Sequence, residues 1–239
     1  MSNNIPLSLY VHIPWCIKKC PYCDFNSHEK NSTYDEENYL RALLLDLENE
    51  HKDYQQRTLK SIFFGGGTPS LFSPDTIARI ISHTDSLFNP GDIEITMEAN
   101  PGTFEQEKFD AFRQAGVNRL SIGIQSFNAR HLQALGRIHD HTQALASIET
   151  ANSAGFDNIN LDLMFGLPEQ SIEQAVADIN TACTSGVSHI SHYQLTIETN
   201  TYFHKHTPVL PENDLIWEMQ TQCQDILAEH HYRQYEVSA

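Results

Sequence analysis

The chain has 239 residues, 40% hydrophobic and 19% charged, with 15 Lys and Arg against 31 Asp and Glu for a formal net charge of −16. That length buries a sizeable core, as one large α/β domain or two small ones. The acidic balance, with no basic stripe and no run of 18 apolar residues, argues against nucleic acid, an anionic membrane surface and a membrane span. The opening "MSNNIPLSLYVHI" lacks a cationic start followed by a long apolar run, so no secretory signal is expected. Five cysteines are too few for a disulfide scaffold, and a cytoplasmic setting is expected.

In chain order, six apolar runs read as strands: 8–13, 61–67, 93–100, 119–126, 158–168 and 189–198. Their near-continuous apolar character predicts strands buried on both faces, as in a parallel sheet. Helical patterns alternate with them. Residues 32–50 offer Ser32 or Thr33 as N-cap, an acidic first turn, and Leu40, Leu43, Leu44 and Leu47 on one stripe. Ser73 and Pro74 open the next helix as cap and first helical residue. Thr103 is the expected cap of a third helix closing at Gly116. A fourth closes at Gly155, and a fifth runs between Ser171 and Gly186, each glycine placed for a helix C-cap. "ENDLIWEMQTQCQDILAEHHY" supplies the sixth. Cys183 and Cys223 stand alone on the last two helical patterns and read as inert buried thiols. Six βα units therefore fill residues 1–239 as one domain, with parallel strands and right-handed crossovers. Such a set makes either an open doubly wound sheet or an incomplete barrel, and the pattern alone does not choose.

The chemistry begins in "HIPWCIKKCPYCDFN", residues 12–26, where Cys16, Cys20 and Cys23 occupy eight positions directly after the first strand. An odd number of thiols is a poor disulfide set. Zinc commonly takes four ligands, and His12 or His28 would have to complete the site. Three thiolates and a missing fourth instead describe an iron–sulfur cluster with one iron left open to a small molecule. After the second strand, "FFGGGTPSLF" lets backbone approach a ligand closely, although a tight strand-to-helix turn needs the same glycines. It is not a nucleotide phosphate loop, because neither G-x4-G-K-[ST] nor G-x-G-x-x-G is present. Glu98, Gln125 and Asp162 sit at or near the ends of later strands, and Arg137 follows in "LGRIHD". A lone residue of this kind is usually a cap or a salt bridge. Several at the same end of successive parallel strands mark the end where barrel active sites assemble.

These motifs, in this order over essentially the entire chain, resemble the radical S-adenosylmethionine (SAM) proteins of the oxygen-independent coproporphyrinogen III oxidase-like family. The resemblance implies α/β architecture, an incomplete (β/α)6 TIM-like barrel. It implies a 4Fe-4S cluster on Cys16, Cys20 and Cys23, with SAM chelating the open iron and yielding a deoxyadenosyl radical on reduction. It also places Gly66, Gly67, Thr68, Glu98, Gln125, Arg137 and Asp162 against SAM, with Arg137 suited to a carboxylate. Tyr10 and Tyr22 match family positions beside SAM, while ordinary barrel aromatics would look the same. His12, His139 and His141 read as structural, and Gln194 in "SHYQLTIE" is a weak pocket candidate.

Two activities share this family's core. The oxidase removes propionate hydrogens to leave vinyl groups and carries a further cysteine two residues after the third. Here that position is Phe25, and the flanks "HIPWC" and "CDFNSH" resemble the HemW-type haem chaperone branch. The resemblance thus implies haem or porphyrin as ligand, a haemoprotein acceptor and an electron donor. The family continues beyond the six units into a C-terminal domain over the barrel mouth, whereas this sequence ends at "YEVSA". The expectation is a core that holds cluster and SAM but handles a porphyrin poorly. A zinc-binding α/β domain without catalysis is the reading from outside the family.

Overall fold

The computed structural model describes residues 5–31, 34–102 and 106–237. Six strands form one parallel sheet: β1 Leu7–Ile13, β4 Leu59–Gly66, β5 Glu94–Ala99, β6 Arg119–Gln125, β7 Ile159–Phe165 and β8 His189–Gln194. Two-residue strands β2 Trp15–Cys16 and β3 His28–Glu29 pair separately within the loop after β1. The helices are α1 Glu36–Tyr54, α2 Pro74–Phe88, α3 Gln106–Gln114, α4 Ala129–Ala134, α5 His141–Ser153, α6 Ile172–Thr184, α7 Tyr202–Lys205 and α8 Asn213–Glu229. A 3-10 turn, Pro69–Leu71, follows β4.

Strand order decides what the pattern could not. The sheet runs β1-β4-β5-β6-β7-β8, each strand parallel to the one before it in the chain. A doubly wound sheet reverses direction at a switch point. This one never does, so right-handed crossovers place the helices on one face and curl the sheet into an open barrel. β1 and β8 remain its two edges.

The strands differ from expectation in one respect: they are not apolar on both faces. Ile62, Phe64, Ile95, Met97, Leu120, Ile122, Leu161 and Leu163 face the helices and are buried. Most of the alternate positions are polar, Phe63 and Met164 being exceptions. Ser61 bonds Ser8 at 2.9 Å, and Asn160 donates to Ser121 and to Asp162, each at 2.8 Å. Ser191 donates to Asn160 at 3.1 Å. "INLDLMF" already carried this alternation, with period 2.

Local punctuation follows the physics of helix ends. Ser73 caps α2 with Pro74 at the first position, and Ser171 opens α6 in a reciprocal capping box with Gln174. Gly116, Gly155 and Gly186 all adopt positive φ just past their helices. The α1 cap is Asp35, whose carboxylate accepts from the Asn38 N–H at 3.0 Å. Ser32, Thr33 and Thr103 lie outside the described residues. Leu40 and Leu47 are buried, with Leu43 and Leu44 packed beside them. Short α4, α7, the 3-10 turn and the two-residue ladder had no periodic signal to announce them. Beyond Gln194 the expected strand stops, and residues 195–198 are irregular.

Asp178 on α6 ties this scaffold to the rim. Its carboxylate is buried and accepts from the Ser126 hydroxyl at 2.6 Å and the Phe127 N–H at 2.8 Å. These bonds hold the chain just after β6. Asp178→Ala leaves two buried donors unpaired and should cost about 3 kcal/mol. Urea unfolding of the variant against the parent measures this, and an unchanged midpoint would show that the turn holds without it.

Candidate functional site

All six sheet strands end at one rim, and the loop after β1 folds across it. His28 N–H bonds the Pro14 carbonyl at 2.7 Å and Lys30 N–H bonds the Cys16 carbonyl at 2.8 Å, which closes the loop on itself. Lys19 Nζ reaches the Phe25 and Ser27 carbonyls, both at 3.0 Å. Trp15 anchors the loop edge-on against Tyr34 and Tyr39, with ring centroids 5.1 and 4.6 Å away. His12, expected to be structural, bonds the Asn26 carbonyl through Nε2 at 2.8 Å and so ties β1 to the loop's far side.

The glycine run packs against this loop more tightly than it faces a ligand. A Cβ on Gly67 would lie 2.6 Å from the Trp15 carbonyl oxygen, so no side chain fits. The N–H groups at the end of the run are already spent within the protein. Gly66 N–H goes to Glu98 at 3.0 Å, Gly67 N–H to the Ile13 carbonyl at 2.8 Å, and Thr68 N–H to the Trp15 carbonyl at 2.7 Å. What remains for a ligand is the carbonyl side and close approach.

Cys16, Cys20 and Cys23 are half-buried free thiols on the wall of one cavity of about 480 Å³. That volume suits a cofactor-sized molecule. Gly66, Gly67, Thr68, Glu98, Gln125, Arg137, Asp162 and Tyr22 line the same cavity. Gln194 also reaches it, from an exposed position at the end of β8. Tyr10 does not line it. That ring lies lower on the concave face, 55% exposed, stacked on Phe63 and bonded to His12 at 3.2 Å. His139 and His141 bond backbone carbonyls of Ile124 and Phe127, as structural histidines do. A larger cavity of about 930 Å³ runs along β8 and α8 and contains none of the cysteine triplet.

The electrostatics are asymmetric. Arg137 approaches Cys20 Sγ with Nη1 at 3.6 Å and donates through Nη2 to the Gly123 carbonyl at 2.7 Å. No ion pair among the described residues involves it, so no protein carboxylate neutralises the guanidinium. Gly136, at φ +66, brings Arg137 here, since a Cβ at that position would stand 2.8 Å from Pro21 of the cysteine loop. Opposite lie two carboxylates. Removal from water and the nearby Asp162 charge push Glu98 up to about 7, against which the Gly66 N–H acts. Removal from water likewise raises Asp162 to about 6, despite hydrogen bonds from Ser121 and Asn160. Burial and the two neighbouring thiols push Cys16 up, while hydroxyls of Thr68 and Ser27 pull it down.

Gln125 sits at φ +67 where the register of β6 against β7 shifts, a conformation disfavoured for a side chain with a Cβ. The bulge re-aims the side chain into the cavity. There its carbonyl oxygen accepts from the Tyr193 hydroxyl at 2.6 Å. Tyr193 and Asn100 both line the cavity and escaped the sequence reading. Asn100 follows Glu98 by two residues in "MEANPG", the one local signal that could have found it. Tyr193 had none beyond its place in a strand.

The residues suit an anionic cluster with a cationic ligand beside it. Thr68, Ser27 and Arg137 bring hydrogen-bonding groups to the sulfurs, as a negatively charged cluster requires. The two carboxylates line the same cavity as the cysteines, where they suit a positively charged group. Among the described residues no three His, Cys, Asp or Glu side chains converge to hold one metal ion. A polynuclear cluster takes one sulfur per iron and needs no such point of convergence.

With a parallel barrel and a three-cysteine rim loop in place, the chain belongs to the radical SAM superfamily, whose family model matches residues 10–182. Its similarity extends further. It is 49% identical to the heme chaperone HemW of Haemophilus influenzae, across 100% of this chain and 64% of that protein. It is 48% identical to the heme chaperone HemW of Escherichia coli, across 98% of this chain and 62% of that protein. Among solved structures, coproporphyrinogen III oxidase (HemN) from Escherichia coli, described as a radical SAM enzyme, superposes with a TM-score of 0.87 at 27% identity. That match covers 97% of this chain and 54% of the oxidase. The chain thus spans less than two thirds of the length of these relatives.

The two raised carboxylates make stability depend on pH. Folded Glu98 holds a proton to about pH 7, whereas the unfolded chain releases it near 4.5. Its contribution is therefore full below that lower value and is lost as pH rises through about 7. Glu98→Gln should gain in urea midpoint over the parent on moving from pH 5 to pH 8. Parallel midpoints would contradict the shift.

Proposed function

We propose that this chain holds a 4Fe-4S cluster on Cys16, Cys20 and Cys23, binds SAM in the adjoining cavity, and serves haem delivery to haemoproteins. The observation that carries this reading is the cysteine triplet facing Arg137, Glu98 and Asp162 across one cavity, in a chain near 48–49% identical to two heme chaperones. When bound and reduced, the cluster supplies the electron that cleaves the SAM sulfonium.

The protein's part is placement and charge. Arg137 places Nη1 on Cys20 Sγ and offers its remaining face to the SAM carboxylate. Glu98 and Asp162, ionised once a cation neighbours them, hold the amino and ribose ends. Gln125, fixed by Tyr193, and the carbonyl side of Gly66 and Gly67 complete the wall. Tyr22 packs on Phe203 and shields Cys20 from water. Free cysteines throughout suit a reducing, cytoplasmic setting, and no described helix is long and apolar enough to cross a membrane. An electron donor and a haemoprotein acceptor are the partners this reading requires.

Phe25 separates the two family activities. It is 61% exposed at the cavity mouth, where the oxidase pattern has a further thiol. An apolar ring there cannot pass a proton or an electron.

The test is anaerobic incubation of reconstituted protein with reductant, SAM and coproporphyrinogen III, beside a full-length relative. Deoxyadenosine without vinyl product, from protein containing iron and acid-labile sulfide, is the expected result. Vinyl product in step with deoxyadenosine would make the chain an oxidase. One zinc and no sulfide would return it to a structural α/β domain.

A further inference from the structure

The proposed ligand triplet leaves one cavity residue without a role, and its bonds are specific. Asn100, just past β5, donates from Nδ2 to Thr68 Oγ1 at 2.9 Å and accepts at Oδ1 from Arg137 Nη2 at 2.5 Å. Thr68 in turn stands beside Cys16 on the cavity wall, its hydroxyl in hydrogen-bonding reach of that thiol. Arg137 Nη1 approaches Cys20 Sγ at 3.6 Å. A continuous path therefore runs Cys16, Thr68, Asn100, Arg137, Cys20, joining four separate loops of the rim.

The polarity of the path matters more than its continuity. Because Asn100 donates to the Thr68 oxygen, the Thr68 proton is left for Cys16. Because it accepts from Arg137, the guanidinium is oriented with its other arm on Cys20. The amide does both because it carries a donor group and an acceptor group at its two ends, which its isostere aspartate does not. A carboxylate of the same shape would accept at both ends, drawing the Thr68 proton away from Cys16 and neutralising Arg137. Gly123 fits the same design: a Cβ there would stand 3.0 Å from Asn100 Oδ1 and crowd the junction.

We infer that Asn100 is a positioning residue of the cluster site, an amide that turns the Thr68 hydroxyl toward Cys16 and the Arg137 guanidinium toward Cys20. This rests on the reading that those cysteines hold a cluster. Hydrogen bonds and positive charge at cluster sulfurs raise the reduction potential. Asn100 thus keeps the cluster reducible without touching iron or sulfur itself, and it resists loss of iron by holding two ligands in place.

The experiment is redox titration, followed by EPR, of reconstituted parent, Asn100→Asp and Asn100→Ala without SAM, with iron release to a chelator measured alongside. Asn100→Asp should lower the midpoint potential, and by more than Asn100→Ala, in which the Thr68 proton stays free for Cys16. Both variants should lose iron at least about tenfold faster than the parent. Thr68→Val, which removes only the hydroxyl, should also lower the potential and serves if Asn100→Asp fails to fold. Equal potentials in all folded variants would overturn the inference while leaving the cluster in place. So would a larger shift in Asn100→Ala than in Asn100→Asp, which would indicate a packing role. A parent protein that takes up no cluster would instead overturn the underlying reading.

Discussion

Six strands run the same way and pair in chain order, and every polar contact at the rim follows from that. A parallel strand presents its carboxyl end where the next crossover begins, so residues far apart in sequence arrive side by side. Gly66 at the end of β4 meets Glu98 at the end of β5, and Asp162 of β7 meets Ser121 of β6. The loop after β1 is closed on itself by the short β2–β3 ladder and stands outside the six-stranded sheet. It is held by two backbone bonds from the β4 end, Gly67 to Ile13 and Thr68 to Trp15, which only a glycine at 67 permits. The spacing of the cysteines relative to the carboxylates is therefore a property of strand pairing.

Charge divides this rim in two. On one side a buried guanidinium and two hydroxyls point at sulfur, and on the other two carboxylates lie out of bulk water with raised proton affinity. Each half is costly alone. Buried carboxylates repel each other, and an arginine without a carboxylate partner has lost hydration it does not recover. Together they complement a negative cluster next to a positive sulfonium ligand.

Much of this was legible in the sequence because the signals are local. Three cysteines after a strand, a glycine run after the next, and glycines past successive helices each reflect a backbone requirement. Strand order was not legible, because doubly wound sheets and barrels share the same βα alternation. The polar concave face was misjudged because "SIFFGGG" looks continuously apolar, although "IEITMEAN" and "INLDLMF" alternate plainly. Asn100 and Tyr193 escaped because their roles are defined by partners 32 and 68 residues away. Tyr10 was carried by resemblance, and the strand geometry puts its ring below the cavity. Asp35 took the cap expected at Ser32 or Thr33, since all three residue types cap equally well.

The central claim is that the three thiols leave one iron for SAM. EPR of the chemically reduced, reconstituted protein, recorded with and without SAM, tests it most directly. If SAM binds the cluster, the signal of the reduced state changes shape on addition of SAM, and protein lacking Cys20 gives neither signal. Spectra that are identical with and without SAM, from protein containing iron and sulfide, would mean that the open corner is closed by the protein itself and that the account of the site is wrong.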